Sequence, residues 1–355
     1  MSAEAFQAGA PLRRVPLVTL YLTERCNSRC VTCDYWRHGR VDMSLAAVRG
    51  LLPSLVQLKT RVALISGGEP LLNPEWPAIA ELLRESGLKL WLLTSGLSLA
   101  KYARRAAQLF EAITVSLDGT HRATYEAIRG LDAFDKVCEG IRAVTDLGAR
   151  VGLRVTLQRA NYRELPDFVT LTRQLGARSV SFLAVDVANP HAFGRTDDFA
   201  ADLALRPEDL PVLDRLLTSM EQVHAEDFRS GLIAESPRKL RRIQQYFAAV
   251  QDGGAYPAVR CNAPEFSAVV DAKGLVHPCF FISGPPRQAM PGDLAGALNG
   301  EAMRALREAI HGGERAECAT CVCSMWRDLD TVDAAISSMV TRTPVRPSVP
   351  EGRLA

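Results

Sequence analysis

The sequence has almost no excess of charge and no long hydrophobic run. Its 42 Lys and Arg residues are nearly offset by 40 Asp and Glu residues, which leaves a formal net charge of +2. So small a charge offers no broad field to a polyanion, and nucleic acid is not an expected partner. No apolar stretch approaches the roughly 20 residues of a membrane-spanning helix, and the N-terminal segment lacks the hydrophobic core of a signal peptide. We therefore expect a cytoplasmic protein without a membrane partner.

The composition is that of a globular protein with grouped cysteines. Of the 355 residues, 47% are hydrophobic and 23% are charged, which suits a sizeable core. This length favours one large and one small domain. Nine cysteines are present, and most of them lie in two groups. In a reducing cytosol, grouped thiols are more often metal ligands than disulfide partners. Cys138 lies outside the groups and is predicted to be an ordinary buried thiol.

Six short runs rich in Val, Ile and Leu alternate with longer amphipathic segments in the first half of the chain. The runs are VTLYL (18–22), VALIS (62–66), KLWLL (89–93), ITVSL (113–117), GLRVTL (152–157) and SVSFLAV (179–185). Their nearly continuous apolar character predicts strands of a parallel sheet that are buried on both faces. Eight strand–helix units would close a barrel, so six predict an α/β fold with an open, partial (β/α)6 TIM barrel.

Several segments carry helix signals. Ser44 is a candidate N-cap for a helix that Pro53 should kink or end early. Asn161 is a candidate N-cap for another helix, which Gly176 should close. Residues 208–250 are predicted to be mostly helical.

The alternation of strands and helices ends near residue 189, and a second cysteine-rich region begins at residue 261. The proline-rich C-terminus has few apolar residues, which predicts disorder. We expect an N-terminal tail (1–16), the barrel (17–230), a helical linker (231–260), a small cysteine-rich domain (261–327), and a C-terminal helix with a disordered tail (328–355).

Cys26, Cys30 and Cys33 lie within eight residues, directly after the first predicted strand. Parallel α/β folds bind ligands at the carboxyl ends of their strands, where this loop begins. Thiolates at this spacing can hold three corners of a cubic iron–sulfur cluster and leave one iron open to a small molecule. The alternative is a zinc site, which usually has four ligands in two pairs.

The segment CNSRCVTC (26–33) resembles the CxxxCxxC signature of the radical S-adenosylmethionine (SAM) enzymes. SGGEP (66–70), TSG (94–96), SLDG (116–119) and the segment 121–141 are also similar to stretches of that family. The resemblance implies that the three cysteines hold a [4Fe–4S] cluster whose open iron binds SAM. Reductive cleavage of SAM would then give a 5′-deoxyadenosyl radical, which takes a hydrogen atom from the substrate.

The resemblance also implies residues that bind SAM. Gly67, Gly68, Glu69 and Pro70 would hold its amino group, and the glycines would let backbone atoms approach the ligand. The residues implied for the ribose and neighbouring groups are Thr94, Ser95, Ser116 and Asp118. Taken alone, the last two are more simply interpreted as part of a turn, because Asp-Gly is a common turn pair.

Two further candidates come from this comparison with the family. The residue before the third cysteine is usually aromatic and packs on the adenine, but here it is Thr32, so Tyr35 or Trp36 is the candidate for that contact. Arg154 lies within an apolar strand and needs a partner there. That partner would be the SAM carboxylate, the substrate or a structural salt bridge.

The second group contains five cysteines: Cys261, Cys279, Cys318, Cys321 and Cys323. Its beginning resembles the SPASM and twitch extensions of radical SAM enzymes, in which a β-hairpin, here within 267–281 with a turn at Asp271–Gly274, brings two thiols together. A full SPASM domain has more cysteines, so the shorter twitch form with one auxiliary [4Fe–4S] cluster is implied. Cys261, Cys279 and Cys321 are its implied ligands, and Cys318 is preferred to Cys323 as the fourth. A structural zinc site is the alternative.

These features predict an enzyme that oxidises or epimerises a small polar metabolite of sugar, aminocyclitol or nucleoside type. An auxiliary cluster with four ligands suits electron acceptance during an oxidation. A spare thiol would instead return a hydrogen atom in an epimerisation, and Cys323 is the candidate for it. The alternatives are a maturase of a ribosomally made peptide and a non-catalytic iron–sulfur scaffold. Only about 16 residues precede the first strand, which disfavours the N-terminal peptide-recognition domain of many maturases. The implied reductant is a flavodoxin- or ferredoxin-type protein, and no oligomeric state is predicted.

Overall fold

The computed structural model of the protein describes residues 9–189, 192–195, 201–282 and 292–327. Its strands are β1 (Leu17–Tyr21), β2 (Val62–Ser66), β3 (Lys89–Thr94), β4 (Ala112–Ser116), β5 (Val151–Leu157), β6 (Ser179–Ala184), β7 (Ser267–Val270) and β8 (Val276–His277). They form one sheet in the order β6-β5-β4-β3-β2-β1-β7-β8. All neighbours pair in parallel except β7 and β8, which are antiparallel.

The helices lie between and beyond these strands. They are α1 (Tyr35–His38), α2 (Leu45–Gln57), α3 (Trp76–Glu85), α4 (Leu99–Leu109), α5 (Arg122–Arg129), α6 (Phe134–Thr145), α7 (Leu165–Gln174), α8 (Leu210–Val223), α9 (Ala225–Ser230), α10 (Pro237–Asp252), α11 (Ala263–Phe266), α12 (Leu294–Asn299), α13 (Glu301–His311) and α14 (Ala316–Ala319). Among the described residues, no helix combines the length and the apolar character needed to cross a bilayer.

The first six strands confirm the predicted α/β fold. Each of them begins and ends within one residue of its predicted bounds, and they stay in chain order across the sheet. Consecutive strand–helix units with right-handed crossovers build this parallel arrangement. The result is the expected open, partial (β/α)6 barrel, with the carboxyl ends of its strands at one edge.

The prediction that the strands are buried on both faces is confirmed for most of β1 and β2 but is wrong for β3 to β6. Along β3 to β6, buried residues alternate with partly exposed ones. Val155 and Phe182 are fully buried, whereas Ser116, Arg154 and Ser181 are partly exposed. Successive side chains of a strand point to opposite faces. One face therefore packs in the core, and the other carries polar groups.

Helix α2 begins at the predicted cap, because Ser44 Oγ accepts a hydrogen bond from Ala47 N at 3.1 Å. It does not end early at Pro53 but continues to Gln57. A proline leaves the carbonyl four residues earlier without its helical partner. That carbonyl belongs to the exposed Arg49, where water can bind it.

Asn161 does not cap α7, which begins at Leu165 after a short 3-10 turn. Its side chain accepts from Gln158 N at 2.9 Å and donates to the carbonyl oxygens of Asp118 and Thr156, at 2.9 and 3.0 Å. The prediction was wrong because this amide joins the ends of β4 and β5. Gly176 has a φ of +66° after the end of α7, as predicted.

The predicted hairpin is confirmed in β7 and β8. Its turn is closed by a hydrogen bond from Gly274 N to Asp271 O at 2.9 Å, and Gly274 has a φ of +81°. In addition, β7 pairs in parallel with β1, with Leu17 opposite Ser267. The hairpin therefore continues the sheet of the barrel. The helix and tail predicted over 328–355 lie outside the described residues.

Candidate active site

The loop that carries the first three cysteines follows β1 and packs against the loop after β2. Gly68 N donates to Thr23 O at 2.8 Å, and Glu69 N donates to Arg25 O at 2.7 Å. A Cβ atom on Gly68 would lie only 2.2 Å from Arg25 O, and Gly67 has a φ of +122°. Both glycines are therefore required for this close approach of two loops.

The other side of the cysteine loop is held by the C-terminal end of α5. Arg29 N donates to Arg129 O, and Val31 N donates to Ile128 O, both at 3.0 Å. These two carbonyls lie in the last turn of α5, where helical partners are missing. The segment after SLDG thus contributes directly to the position of Cys30.

Glu69 is fully buried and connects the loops after β2 and β3. Its carboxylate accepts hydrogen bonds from Thr94 Oγ1 at 2.8 Å, Ser95 N at 2.7 Å and Leu71 N at 3.2 Å. Burial raises the pKa of Glu69, and these donors oppose that shift. Ser95 Oγ also donates to Asn27 Oδ1 at 3.2 Å, so this network reaches the cysteine loop. Pro70 follows Glu69 and begins a 3-10 turn.

Asp118 and Arg129 form a buried ion pair behind the same loop. Arg129 Nη1 donates to Asp118 Oδ2 at 3.0 Å, and Asp118 Oδ1 accepts from Thr156 N at 2.7 Å. Burial raises the pKa values of Cys26 to about 11 and Cys33 to about 12, and the charge of Arg129 lowers both. Arg129 therefore supplies positive charge beside the three thiols.

Arg129 was not among the residues predicted from the sequence. A signal was available, because it follows Tyr125 by four residues and so lies on the buried face of α5. An arginine on the apolar face of a helix needs a charged partner.

Ser116 lies at the end of β4, opposite Arg154 in the register with β5.

Four thiols each accept a hydrogen bond from the backbone N–H two residues further along the chain. Such donors stabilise the charge of a thiolate, and N–H···S bonds are common around iron–sulfur clusters. The pairs are Cys26 with Ser28 at 3.5 Å, Cys261 with Ala263 at 3.5 Å, Cys279 with Phe281 at 3.4 Å and Cys321 with Cys323 at 3.4 Å.

The five cysteines of the second group lie close to one another. Burial raises the pKa values of Cys279 to about 12 and Cys318 to about 11, and the charge of Cys261 raises both further. Burial also raises the pKa of Cys321, as do the charges of Cys323, Cys279 and Cys261. The folded chain thus gathers thiols that are up to 62 residues apart, from 261 to 323.

Cys323 differs from the other four because it also lies near charged side chains of β5 and α10. Burial raises the pKa of Cys323, whereas the charges of Arg154 and Lys239 lower it. Arg154 Nη1 donates to Ser181 Oγ at 2.7 Å, and Ser181 Oγ donates to Glu235 Oε1 at 3.0 Å. Arg154 is thus connected to a buried carboxylate through one hydroxyl group.

Tyr21 lies between the two cysteine groups. Its ring centroid is 6.0 Å from that of Tyr35 and 6.0 Å from that of Phe280. Burial raises the pKa of Tyr21 strongly, and the charges of Cys33 and Cys279 add to this shift. Sequence reasoning missed Tyr21, although its position at the carboxyl end of β1 is a signal for a functional site.

The family model of the Radical SAM superfamily matches residues 20–172. Residues 20–172 therefore form a radical SAM domain. Enzymes of this superfamily use a [4Fe–4S] cluster and SAM, which are the cofactors that the sequence predicts.

The curated proteins that are similar to this chain are named for different activities. Fe-coproporphyrin III synthase of Methanosarcina barkeri is 28% identical over 226 residues, which are 61% of this chain and 55% of that protein. Mycofactocin maturase MftC of Mycobacterium tuberculosis is 25% identical over 287 residues, or 78% of this chain and 67% of that protein. The match thus spans little more than half the length of the first relative.

Solved structures with the same fold include SuiB of Streptococcus suis. SuiB bound to SAM has a TM-score of 0.64 at 12% identity, over 91% of this chain and 75% of that chain. SuiB bound to the precursor peptide SuiA has a TM-score of 0.63 at 13% identity, over 90% of this chain and 73% of that chain. At sequence identities of 12–13%, the similarity to SuiB shows a shared fold and nothing further.

Proposed function

We propose that this radical SAM enzyme modifies a peptide at the carboxyl ends of its barrel strands. The observation that carries this proposal is that both cysteine groups adjoin Tyr21, at the end of β1. A substrate bound between the two cysteine groups could react at either of them. The fold shared with peptide-bound SuiB and the similarity to a maturase favour a peptide as that substrate.

In this proposal Cys26, Cys30 and Cys33 hold the SAM-binding cluster. Ligands of zinc converge on one ion, whereas ligands of a four-iron cluster bind different irons and stand farther apart. The three thiolates of this loop match a cluster that keeps one iron open, whereas a structural zinc site takes four ligands. The donor set therefore fits such a cluster. When bound, the cluster and SAM supply the radical that removes a hydrogen atom from the substrate.

The loops after β2, β3 and β4 would hold SAM. Glu69 and Asp118 act here as positioning residues, because Thr94, Ser95 and Arg129 already engage their carboxylates. The proposed contacts with SAM are then made by the backbone of Gly67, Gly68 and Pro70 and by the side chains of Ser116, Tyr35 and Arg154. Ser116 and Arg154 are partly exposed on the same face, which suits such contacts.

The second cysteine group would hold an auxiliary [4Fe–4S] cluster. Cys261, Cys279 and Cys321 are proposed ligands because each accepts a backbone N–H bond. Cys318 is the proposed fourth ligand, since Cys261 and Cys279 are its neighbours. Such a cluster supplies a one-electron acceptor when bound. Cys323 would remain a thiol beside Arg154 and Lys239, available to return a hydrogen atom to the substrate.

A small polar metabolite, the substrate predicted from the sequence, is the second candidate. It is favoured by the relative named as an Fe-coproporphyrin III synthase, because a porphyrin is a small molecule. In both cases the proposed electron donor is a flavodoxin- or ferredoxin-type protein.

The experiment compares the two substrate classes on anaerobically reconstituted protein with dithionite and SAM. We expect a short peptide encoded beside this gene to raise the rate of 5′-deoxyadenosine formation and to change in mass. The variant with Cys26→Ala, Cys30→Ala and Cys33→Ala is the control and should form no 5′-deoxyadenosine. A sugar, aminocyclitol or nucleoside that is converted while the peptides stay unchanged would overturn the proposal.

A further inference from the structure

Positive charge surrounds the second cysteine group at the protein surface. Arg260 is exposed and directly precedes Cys261. Lys239 of α10 is also exposed, and its charge opposes the rise in the pKa of Cys323 that burial causes. A third cation, Arg242, lies beside the same small cavity as Lys239. Cations therefore adjoin both of the chain segments that carry these thiols.

Hydrogen bonds join these segments and α10 into one surface. Arg242 Nη2 donates to Ala258 O at 2.7 Å and to Ser324 Oγ at 3.4 Å. Asn262 N donates to Met325 O at 2.9 Å, so the two segments run beside each other. The positive residues of these elements form one surface, which we call the basic surface: Arg238, Lys239, Arg242 and Arg260.

The acidic residues near the basic surface do not neutralise it. Glu235 is 5% exposed and already accepts a hydrogen bond from the backbone of β6, and Lys239 Nζ lies 3.8 Å from its carboxylate. Glu317 forms an ion pair of its own. Within the described ranges, neither Arg238 nor Arg260 takes part in an ion pair. The surface is therefore strongly positive, although the whole chain carries a net charge of only +2.

An exposed aromatic ring lies within the basic surface. Trp326 is 43% exposed, and Arg260 stacks on it, with its Cζ 4.0 Å from the ring centroid. Trp and Arg are among the residues that most often supply the binding energy of a protein interface. Weak electron-transfer partners bury small areas, which a few cations and one aromatic ring can provide. The position beside the second cysteine group therefore favours a redox protein as the partner.

We propose that an acidic electron carrier of flavodoxin type docks on the basic surface and places the edge of its flavin at Trp326. The inference rests on the proposed electron donor and on the proposed auxiliary cluster. Opposite charges orient such a carrier, and the flavin is itself an aromatic ring that can pack on an indole. One electron would leave the reduced flavin, which is oxidised, and would enter the cluster at the second cysteine group, which is reduced. No proton or other group is transferred with it. Because Tyr21 adjoins both cysteine groups, the electron can continue to the first.

The test measures the affinity of the reconstituted full-length protein for a recombinant bacterial flavodoxin by isothermal titration calorimetry at low salt. The Arg238→Glu/Arg260→Glu variant should bind about tenfold more weakly, because two attractive charges become repulsive. Trp326→Ala should bind about fivefold more weakly, because it removes the aromatic contact. Unchanged affinity in the double variant would overturn the proposal.

Arg49→Glu/Arg104→Glu is the matched control, because it changes the net charge by the same amount. Both residues are exposed, and they lie on α2 and α4, whereas α10 packs on β6 at the edge of the sheet. The control should keep the affinity of the unaltered protein. The Arg238→Lys/Arg260→Lys variant should also keep most of it, because the charges remain. An equal loss in the control would show an effect of net charge alone and would overturn the docking surface.

A second measurement compares two sources of electrons. With flavodoxin that is reduced by NADPH and its reductase, the Arg238→Glu/Arg260→Glu variant should form 5′-deoxyadenosine about tenfold more slowly at subsaturating flavodoxin. With dithionite, which needs no docking surface, its rate should equal that of the unaltered protein. An equal loss with both reductants would assign the surface to substrate binding or to folding and would overturn the proposal. Tighter binding of a ferredoxin than of the flavodoxin would contradict the choice of partner.

The binding measurement needs no substrate, so it separates this inference from the proposed function. Docking that depends on Arg238 and Arg260, without modification of any peptide, would refute the proposed substrate alone. Modification of a peptide by a protein whose affinity for flavodoxin does not depend on these residues would refute the docking surface alone.

Discussion

At the scale of single residues, a buried cation lies beside the first three cysteines. Arg129 is 8% exposed and is held in place by Asp118, and its charge acts on Cys26, Cys30 and Cys33. A cation near an iron–sulfur cluster favours the reduced form, which carries one more electron. Arg129 is therefore expected to tune the cluster without being one of its ligands.

Replacement of Arg129 by Gln should shift the reduction potential of the SAM-binding cluster to more negative values. For one charge several ångströms away in a partly buried site, the shift is on the order of 50–100 mV. Redox titration followed by electron paramagnetic resonance measures it.

Arg129→Lys is the control and should retain most of the potential, because it keeps the charge. The Asp118→Asn/Arg129→Gln double variant removes the unpaired carboxylate that the single change leaves. A potential that stays constant in all three variants would show that Arg129 has only a structural role.

At the scale of elements, the site consists of loops that fit closely at the carboxyl ends of neighbouring strands. The loops after β1 and β2 approach so closely that Gly68 has no room for a side chain. Glu69 then connects β2 with β3, and Asn161 connects β4 with β5. The geometry of the cysteine loop is therefore a property of five strands together.

Gly68→Ala should displace the cysteine loop, because its Cβ atom would lie 2.2 Å from Arg25 O. We expect a destabilisation of about 3 kcal/mol or more and a lower iron content after reconstitution. The apparent midpoint of thermal unfolding and iron analysis measure these effects.

Gly254→Ala is the matched control, since nothing lies within 4 Å of a Cβ atom there and its φ is not positive. Its stability should change by no more than about 0.5 kcal/mol. Normal iron content in Gly68→Ala would mean that the loop adapts to the extra methyl group.

At the scale of the whole molecule, the sheet joins both cysteine groups into one unit. The hairpin of β7 and β8 pairs with β1, the strand that leads to the first cysteines. Tyr21 at the end of β1 then packs against Phe280, next to Cys279. The relative position of the two groups is thus set by strand pairing.

Two four-iron clusters would give about eight irons per chain after anaerobic reconstitution. Cys279→Ala should reduce this to about four and should impair product formation more than SAM cleavage. Cys138→Ala is the control, because Cys138 is buried in α6 far from both groups in sequence, and it should keep the full iron content. Four irons and one zinc in the unaltered protein would exclude the auxiliary cluster.

Much of the fold follows from local sequence patterns. The apolar runs predicted β1 to β6 to within one residue, because burial of Val, Ile and Leu against helices depends on the strand's own side chains. The cap at Ser44 and the turn at Gly274 are equally local. Asn161 was misjudged because the same amide can cap a helix or bridge two loops, and local sequence does not distinguish these roles.

The sequence by itself determined the parallel barrel and the spacing of the cysteines, because both depend on residues that are near one another in the chain. Only the tertiary structure decided that β7 pairs with β1, that Arg129 lies beside the thiols and that Tyr21 lies between the two cysteine groups. Ser267 is 250 residues away from its partner Leu17. Contacts over such separations depend on how all elements pack together, and no periodicity within one segment encodes them.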